Sequence, residues 1–179
     1  RKACPGGHLA GPCQCGCAAN AAVTSQCCSR HRGTARLGVL VGGGQGWRGD
    51  HLSKTDAYVR VFYQGREART PTLWNNDRPH WGSRLDLGTV ALLPESQLKV
   101  EVWDEDNKWD DDLLGVCHVS PVAARHKQEV VCYPGGGRLE FSYEVTCGPS
   151  LGGPLCHDYV PQAPQGDGGL YSFSHRPLA

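Results

Sequence analysis

Six acidic residues fall within nine positions at Asp104-Glu-Asp-Asn-Lys-Trp-Asp-Asp-Asp112, directly after a strand-like run from Leu98 to Trp103. So many carboxylates on one short loop repel each other and push each other's pKa values up. A fold tolerates this when a positive charge sits among them. With oxygen donors alone, the natural guest is a hard cation, Ca²⁺ before Mg²⁺. Asp104 and Asp106 are two apart, so both side chains leave one face of an extended segment. Asp112 follows six positions later. A second loop, Gly42 to Asp56, brings Asp50 and Asp56, also six apart. Two loops at one end of a β-structure, each carrying spaced aspartates, can surround a cation with five or more carboxylates. Backbone carbonyls and lipid phosphate can complete the six to eight oxygens that calcium takes. A solvated acidic loop is the plain reading of either segment alone; the pair favours metal. A rival chemistry is a carboxylate pair, Asp104 with Asp112, for glycoside hydrolysis. Nothing in the sequence supplies a sugar cleft. The eight histidines are scattered, and no Gly-x-Ser-x-Gly, His-Glu-x-x-His or Gly-Lys-Ser/Thr motif occurs. The chain is not expected to be an enzyme.

The segments that must position these loops read as strands. Leu37, Val39 and Val41 alternate with less apolar neighbours. Ala57 to Tyr63 alternates cleanly, and Arg84 to Leu87, Gln97 to Trp103, Leu114 to Val119, Gln128 to Cys132 and Arg138 to Tyr143 behave likewise. Short β-branched and aromatic runs with turn residues between them are the pattern of an antiparallel sandwich. About eight strands are expected and no helix. Residues 1–32 are rich in Gly, Ala and Cys, hold six of the ten cysteines and show no apolar period. Such a segment has to be stapled rather than packed. After Cys147 the chain turns Gly- and Pro-rich, and from about position 161 it reads as a loose tail.

Composition narrows the function. The formal net charge is zero, which argues against nucleic acid as a partner. No apolar run approaches the length of a membrane-spanning helix. There is no methionine, even at position 1, so the expectation is a chain that starts after a cleavage or is a piece of a longer protein. Ten cysteines in 179 residues point to disulfides and an oxidising compartment. The rival is a zinc or copper thiolate site at Cys13-Gln14-Cys15-Gly16-Cys17 with Cys27-Cys28. Metal knuckles usually separate two ligands by two to four residues, so a small knotted module suits this run better.

Asp50, Asp56-Ala-Tyr-Val59, Trp81 after Pro79, and Val102-Trp-Asp-Glu-Asp106 with Asp112-Leu-Leu-Gly115 together resemble the C2 family. The likeness covers roughly 34–147, in the circularly permuted (type II) topology. The preface Cys-x-Cys-x-Cys with Cys27-Cys28, then Trp74-Asn-Asn76, Trp109 to Gly115 and the tail Cys147 to Gln162 extend it. This series resembles the carboxyl-terminal portion of the perforin family, pore-forming proteins of cytotoxic lymphocytes. The resemblance implies an all-β fold: an eight-stranded antiparallel C2-type β-sandwich preceded by a small disulfide-rich EGF-like segment. The boundaries would be 1–32 for the partial EGF-like segment, 33–147 for the C2 domain and 148–179 for a carboxyl-terminal extension. The pore-forming domain itself lies outside this sequence.

The resemblance also implies site residues. Calcium ligands would be Asp50, Asp56, Asp104, Asp106 and Asp112, with Asp110 and Asp111 completing a further site and Asn75 as a weaker candidate; two or more Ca²⁺ ions would bind. Aromatic membrane tips would be Trp47 and Trp109, because a Trp on a charged Gly-rich loop is hard to bury; Trp74, Trp81 and Trp103 would be core or framework. Disulfides would join Cys117 to Cys132, Cys147 to Cys156, Cys17 to Cys27 and Cys4 to Cys15, leaving Cys13 and Cys28 to partners upstream of this chain. Some positions depart from the pattern. Arg78 stands where Asn often precedes the proline, Trp47 is one residue further from its aspartate, and His51 and Asn107 stand where aromatics sometimes occur.

The implied function is calcium-dependent docking on a phospholipid membrane. It would serve a secreted cytolytic protein held in a granule and then released onto the outer face of a target cell. A missing amino-terminal domain would oligomerise there and open a pore. Binding would weaken in an acidic compartment, where protons compete for the carboxylates. The alternative is a calcium-dependent lipid-binding or adaptor C2 module with no link to pores.

Overall fold

In the computed structural model, residues 28–47, 54–106 and 110–160, with Ala21 and Thr24, are described. Eight strands form two four-stranded antiparallel sheets. They are β1 (Thr34–Gln45), β2 (Ala57–Tyr63), β3 (Arg66–Arg69), β4 (His80–Ala91), β5 (Leu98–Asp104), β6 (Asp112–Val119), β7 (Gln128–Cys132) and β8 (Arg138–Cys147). One sheet runs β4-β1-β8-β7 and the other β3-β2-β5-β6. Alternation along each strand decides what lies between them. Ala35, Leu37, Val39 and Val41 of β1, Val59, Val61 and Tyr63 of β2, Val100 and Val102 of β5, and Leu139 and Val145 of β8 are buried in one core. This is the all-β, eight-stranded C2-type sandwich expected from the sequence. Among the described residues no helix is long and apolar enough to cross a membrane.

Two strands carry weak signals. β3 is four residues, Arg-Glu-Ala-Arg, on a sheet edge, with only β2 beside it; charge on an edge strand blunts further pairing. β4 is twelve residues long, but only its Arg84 to Leu87 stretch alternates cleanly. Gly82 and Gly88 take positive φ, 56° and 73°, and the pattern breaks there. Beyond the sandwich, β9 (Leu151–Gly152) and β10 (Asp158–Tyr159) make a short hairpin in the Gly- and Pro-rich stretch.

Two of the expected disulfides are formed. Cys117–Cys132 joins β6 to β7, edge strands of opposite sheets, and Cys147–Cys156 ties the end of β8 to the small hairpin. Cys28 corrects an expectation. It is disulfide-bonded and buried, so its partner belongs to this chain and lies outside the described residues. Spacing alone does not fix connectivity, and an upstream partner is not needed for it. Cys4, Cys13, Cys15, Cys17 and Cys27 lie outside the described residues.

Candidate metal-binding rim

The loops singled out by the sequence converge at one end of the sandwich. β2 and β3 form a hairpin, so the β1–β2 connection and the β3–β4 connection emerge together. β5 runs antiparallel to β2, so its end joins them. The register is continuous across the sheet: Leu73 bridges Ala57, Ala57 pairs with Asp104, and Asp104 pairs with Asp112. One position further out lie Trp74, Asp56, Glu105 and Asp111. Asp56, Asp104 and Asp112 thus stand at three neighbouring strand ends.

Hydrogen bonds lock these loops to one another. The Asp56 N–H donates to Asp104 Oδ1 at 2.8 Å, and Glu105 N–H donates to the Asp56 carbonyl at 2.8 Å. Asp56 Oδ1 accepts from the Asn75 N–H at 2.5 Å. Asn75 has φ of 53°, a left-handed conformation that Asn tolerates better than most residues. The Asn76 N–H reaches the Thr55 carbonyl at 2.9 Å, and the Thr55 N–H reaches Asp77 Oδ1 at 3.2 Å. Glu105 Oε1 accepts from Thr72 Oγ1 at 2.8 Å and pairs with Arg69 at 3.4 Å.

Tyr58 organises the far side. Its ring stacks on Trp103 at 6.5 Å between centroids and 8° between planes, and the Arg69 guanidinium lies 3.6 Å from its centroid. Its hydroxyl donates to Asp111 Oδ2 at 2.6 Å, while the Asp106 N–H donates to Asp111 Oδ1 at 2.9 Å. Burial first, then the Asp111 carboxylate, push the Tyr58 phenol up to about 12. The same hydrogen bond, followed by that from the Asp106 N–H, holds the Asp111 carboxyl below its ordinary value. Crowding alone predicts a rise; here two chain donors stabilise the anion and win. On the outer face of this sheet Arg60, Arg69 and Lys99 are each paired with a glutamate, Glu67 at 2.5 Å, Glu105 at 3.4 Å and Glu101 at 3.5 Å.

Trp47 corrects a second expectation. It is a core residue, 5% exposed, not a membrane tip. Its Nε1–H donates to the Pro134 carbonyl at 2.8 Å, and its ring meets Trp81 at 6.5 Å. The cause is the glycine run. β1 extends through Gly42 to Gly44, and Gly44 and Gly137 leave the slot that the indole fills. A Cβ at Gly44 would lie 2.2 Å from the Trp47 ring, and one at Gly137 would lie 2.3 Å from Nε1. Trp74, by contrast, is 50% exposed on the rim rather than packed as framework. Trp81 is partly buried, its Nε1–H donating to the Ala57 carbonyl at 3.2 Å.

Of the expected ligands, Asp56, Asp104, Asp106, Asp110, Asp111, Asp112 and Asn75 lie at this end; Asp50 and Trp109 fall outside the described residues, as do His51 and Asn107. Among the described residues no group of three or more His, Cys, Asp or Glu is close enough to hold a metal. The donor chemistry still fits a hard dication, being carboxylate oxygen on three adjacent strand ends. Sequence reasoning missed Asp77, two residues past Asn75 in the same polar run, and Glu105, which clamps two loops. It also missed Tyr58, whose role depends on cross-strand register that spacing within one segment does not report.

Residues 35–133 match the C2 domain family model. The chain belongs to the C2 domain family. It is 45% identical over 164 residues to human Perforin-1, a stretch covering 90% of this chain and 29% of the relative. The chain therefore spans under a third of the length of the Perforin-1 relatives it matches, consistent with the carboxyl-terminal portion of perforin. Among solved structures, one described as the structure of a C2 domain is 30% identical, covers 62% of this chain and 97% of its own, and has a TM-score of 0.54. The paired C2 domains of Extended-Synaptotagmin 2 in a calcium-bound form superpose with a TM-score of 0.54 at 18% identity, over 66% of this chain and 47% of theirs. That last likeness is one of fold.

Proposed function

We propose that this chain is the calcium-dependent, phospholipid-docking C2 module of a secreted, perforin-type cytolytic protein. In this reading 33–147 is the C2 domain, 1–32 a partial EGF-like segment and 148–179 an extension. An amino-terminal domain beyond this chain would oligomerise and open the pore after docking. The protein would be stored in a secretory granule and act at the outer face of a target cell. The observation that carries the reading is the gathering of Asp56, Asp104 and Asp112 at neighbouring strand ends, with Asp104 paired to Asp112 and Asp56 one position out from the Ala57–Asp104 pair. The likeness to Perforin-1 over most of the chain supplies the biological setting.

Asp56, Asp104 and Asp112, with Asp50 and Asp106 from the flanking loops, would hold the metal. Calcium bound there supplies positive charge and coordination positions that phosphate oxygens can share. The chain's own contribution is to hold the carboxylates in place. Asp104 is oriented by the Asp56 N–H, and Asp56 by the Asn75 N–H. Glu105 and Asp111 tie the acidic loop back to the sheet through Thr72, Arg69 and Tyr58. Without a cation this acid-lined rim disfavours approach to an anionic surface.

Vesicle co-sedimentation with and without EGTA tests the reading, comparing the full chain with Asp104→Asn. The amide keeps an acceptor for the Asp56 N–H and removes the charge. Sedimentation in millimolar calcium, its loss in EGTA and its weakening by tenfold or more in Asp104→Asn are expected. Equal sedimentation in calcium and EGTA would refute the proposal.

A further inference from the structure

Arg69 ends β3, and its side chain reaches the acidic loop by two separate routes. Pairing sets where that side chain starts. Arg69 lies opposite Arg60 of β2. The next residue, Thr70, donates its N–H to the Val59 carbonyl at 2.9 Å and accepts the Val59 N–H on its hydroxyl at 3.0 Å. Tyr58 stands two residues before Arg60, on the same face of the sheet and diagonal to Arg69. The first route is polar. Arg69 Nη2 donates to Thr72 Oγ1 at 2.8 Å and to Glu105 Oε1 at 3.4 Å, and the Thr72 hydroxyl donates to the same Glu105 oxygen at 2.8 Å. Glu105 N–H in turn reaches the Asp56 carbonyl. The start of the acidic loop is fixed in this way, one residue after Asp104. The second route runs through Tyr58. The guanidinium lies 3.6 Å from the ring centroid, and the hydroxyl of that ring donates to Asp111 Oδ2 at 2.6 Å. Asp111 accepts the Asp106 N–H on its other oxygen. The end of the loop is fixed there, one residue before Asp112. Charge does not explain a cation at this place, because a guanidinium beside a site for a dication repels the guest. The position uses shape. Nε donates to the Thr70 carbonyl at 3.0 Å while Nη2 serves Thr72 and Glu105 and the flat group covers Tyr58. A lysine has the same charge but neither the fork nor the plane.

We propose that Arg69 is a positioning residue of the rim: it holds both ends of the acidic loop, through Glu105 and through Tyr58 to Asp111, and so sets calcium affinity without touching the ion. This deepens the docking function proposed above and rests on it. Glu105 and Asp111 direct their oxygens at the protein, and Asp104 and Asp112 beside them are held at a fixed separation before any cation arrives. Loop order without metal and affinity for metal are then two readings of one quantity, because a site already ordered loses less entropy on binding.

The test uses the full chain without lipid and compares Arg69→Lys, Tyr58→Phe and the two together, with Arg36→Lys on the other sheet as a control. Calorimetry reads calcium affinity, and amide hydrogen exchange in EGTA reads loop order at Glu105 and Asp106, whose N–H groups close the two ends. Arg69→Lys is expected to weaken calcium binding roughly fivefold and to speed exchange at both amides by a similar factor, the size that an exposed cation–π contact and one exposed ion pair support together. Its Tm in EGTA should stay within about 4 °C of wild type, because exposed contacts contribute little to the global fold. Tyr58→Phe keeps the ring and deletes only the hydroxyl on Asp111; it should weaken binding in the same direction, and the double variant should lose less than the two single losses combined, as members of one network do. Arg36→Lys should leave affinity and exchange unchanged. If wild type binds calcium and Arg69→Lys binds it equally well or more tightly, the positioning role is overturned and the docking function stands. Equal weakening in Arg36→Lys, or strictly additive losses in the double variant, also overturns it. If wild type binds no calcium, the docking function fails and the positioning role with it.

Discussion

Substituting Trp47 separates two accounts of the β1–β2 connection. As a membrane tip, its loss would leave stability unchanged and reduce vesicle binding. In the structure it is 5% exposed, packed on Trp81 and bonded through Nε1 to the Pro134 carbonyl. Removing a buried Trp to Ala costs about 3–5 kcal/mol through lost transfer energy and the cavity left behind. For a chain of this length each kcal/mol lowers Tm by about 2–4 °C, so Trp47→Ala should lower it by about 6–20 °C. That loss is a large part of the roughly 5–15 kcal/mol typical of a domain. Trp47→Phe refines the test. It keeps most of the ring but leaves the buried Pro134 carbonyl without its donor, at about 1–3 kcal/mol, and its Tm should fall between the other two. Calorimetry in EGTA, without lipid, reads both variants free of any membrane effect. A melt of Trp47→Ala within about 2 °C of wild type, paired with a loss of vesicle binding, would refute the burial argument.

Two further outcomes concern the scaffold. Replacing Cys117 and Cys132 together by Ser opens a loop whose ends are 15 residues apart; a loss of about 3 kcal/mol is expected from the chain-entropy estimate, read as a lower denaturant midpoint. The Arg36–Asp86 pair spans β1 and β4 at 2.6 Å with both side chains about half exposed. The hydrogen bond from Arg36, then that from the Gly88 N–H, hold the Asp86 carboxyl below its ordinary value. A depressed carboxyl stabilises above its unfolded pKa of about 3.9 and loses that contribution as pH falls through the folded value. Asp86→Asn should therefore melt slightly below wild type at neutral pH and together with it near about pH 2, the gap being small because solvent screens the pair. A gap that widens on acidification would contradict the assigned sign.

What could be read from the sequence was what depends on period. β2, β5 and β8 alternate along their whole length, and their inward residues are the core. Asp56, Asp104 and Asp112 could also be placed near strand ends from the sequence, because they adjoin runs whose alternation is legible. β3 was not legible. Its stability comes from pairing with β2 on an edge, while three of its four residues are charged and give no apolar signal. The two tryptophans exchange roles: Trp47 reads as a tip and packs as core, while Trp74 reads as framework and is exposed. The reason is that burial is a property of the partner surface. Gly42-Gly-Gly44 reads as loop, yet it continues β1, and with Gly137, just before β8, it makes a slot of indole width. The slot becomes visible only when β1 and β8 are paired, Gln45 against Arg138.

The acidic loop shows the same dependence on register and sharpens the division of labour at the rim. Counted along the chain, Asp104 to Asp112 is a run of like charges that should resist folding and hold its protons. Counted across the sheet, its members face different neighbours. Glu105 meets Arg69 and Thr72 from the β3–β4 side, and Asp111 meets the Tyr58 hydroxyl and the Asp106 N–H. Those two carboxylates act on the protein, converting repulsion within the loop into attachment between loops. The Arg69 guanidinium serves both, pairing with Glu105 and lying over the Tyr58 ring that donates to Asp111. A rim tied down in this way can present Asp56, Asp104 and Asp112 without first being ordered by a cation. A binding site that loses less ordering entropy keeps more of its interaction energy as affinity.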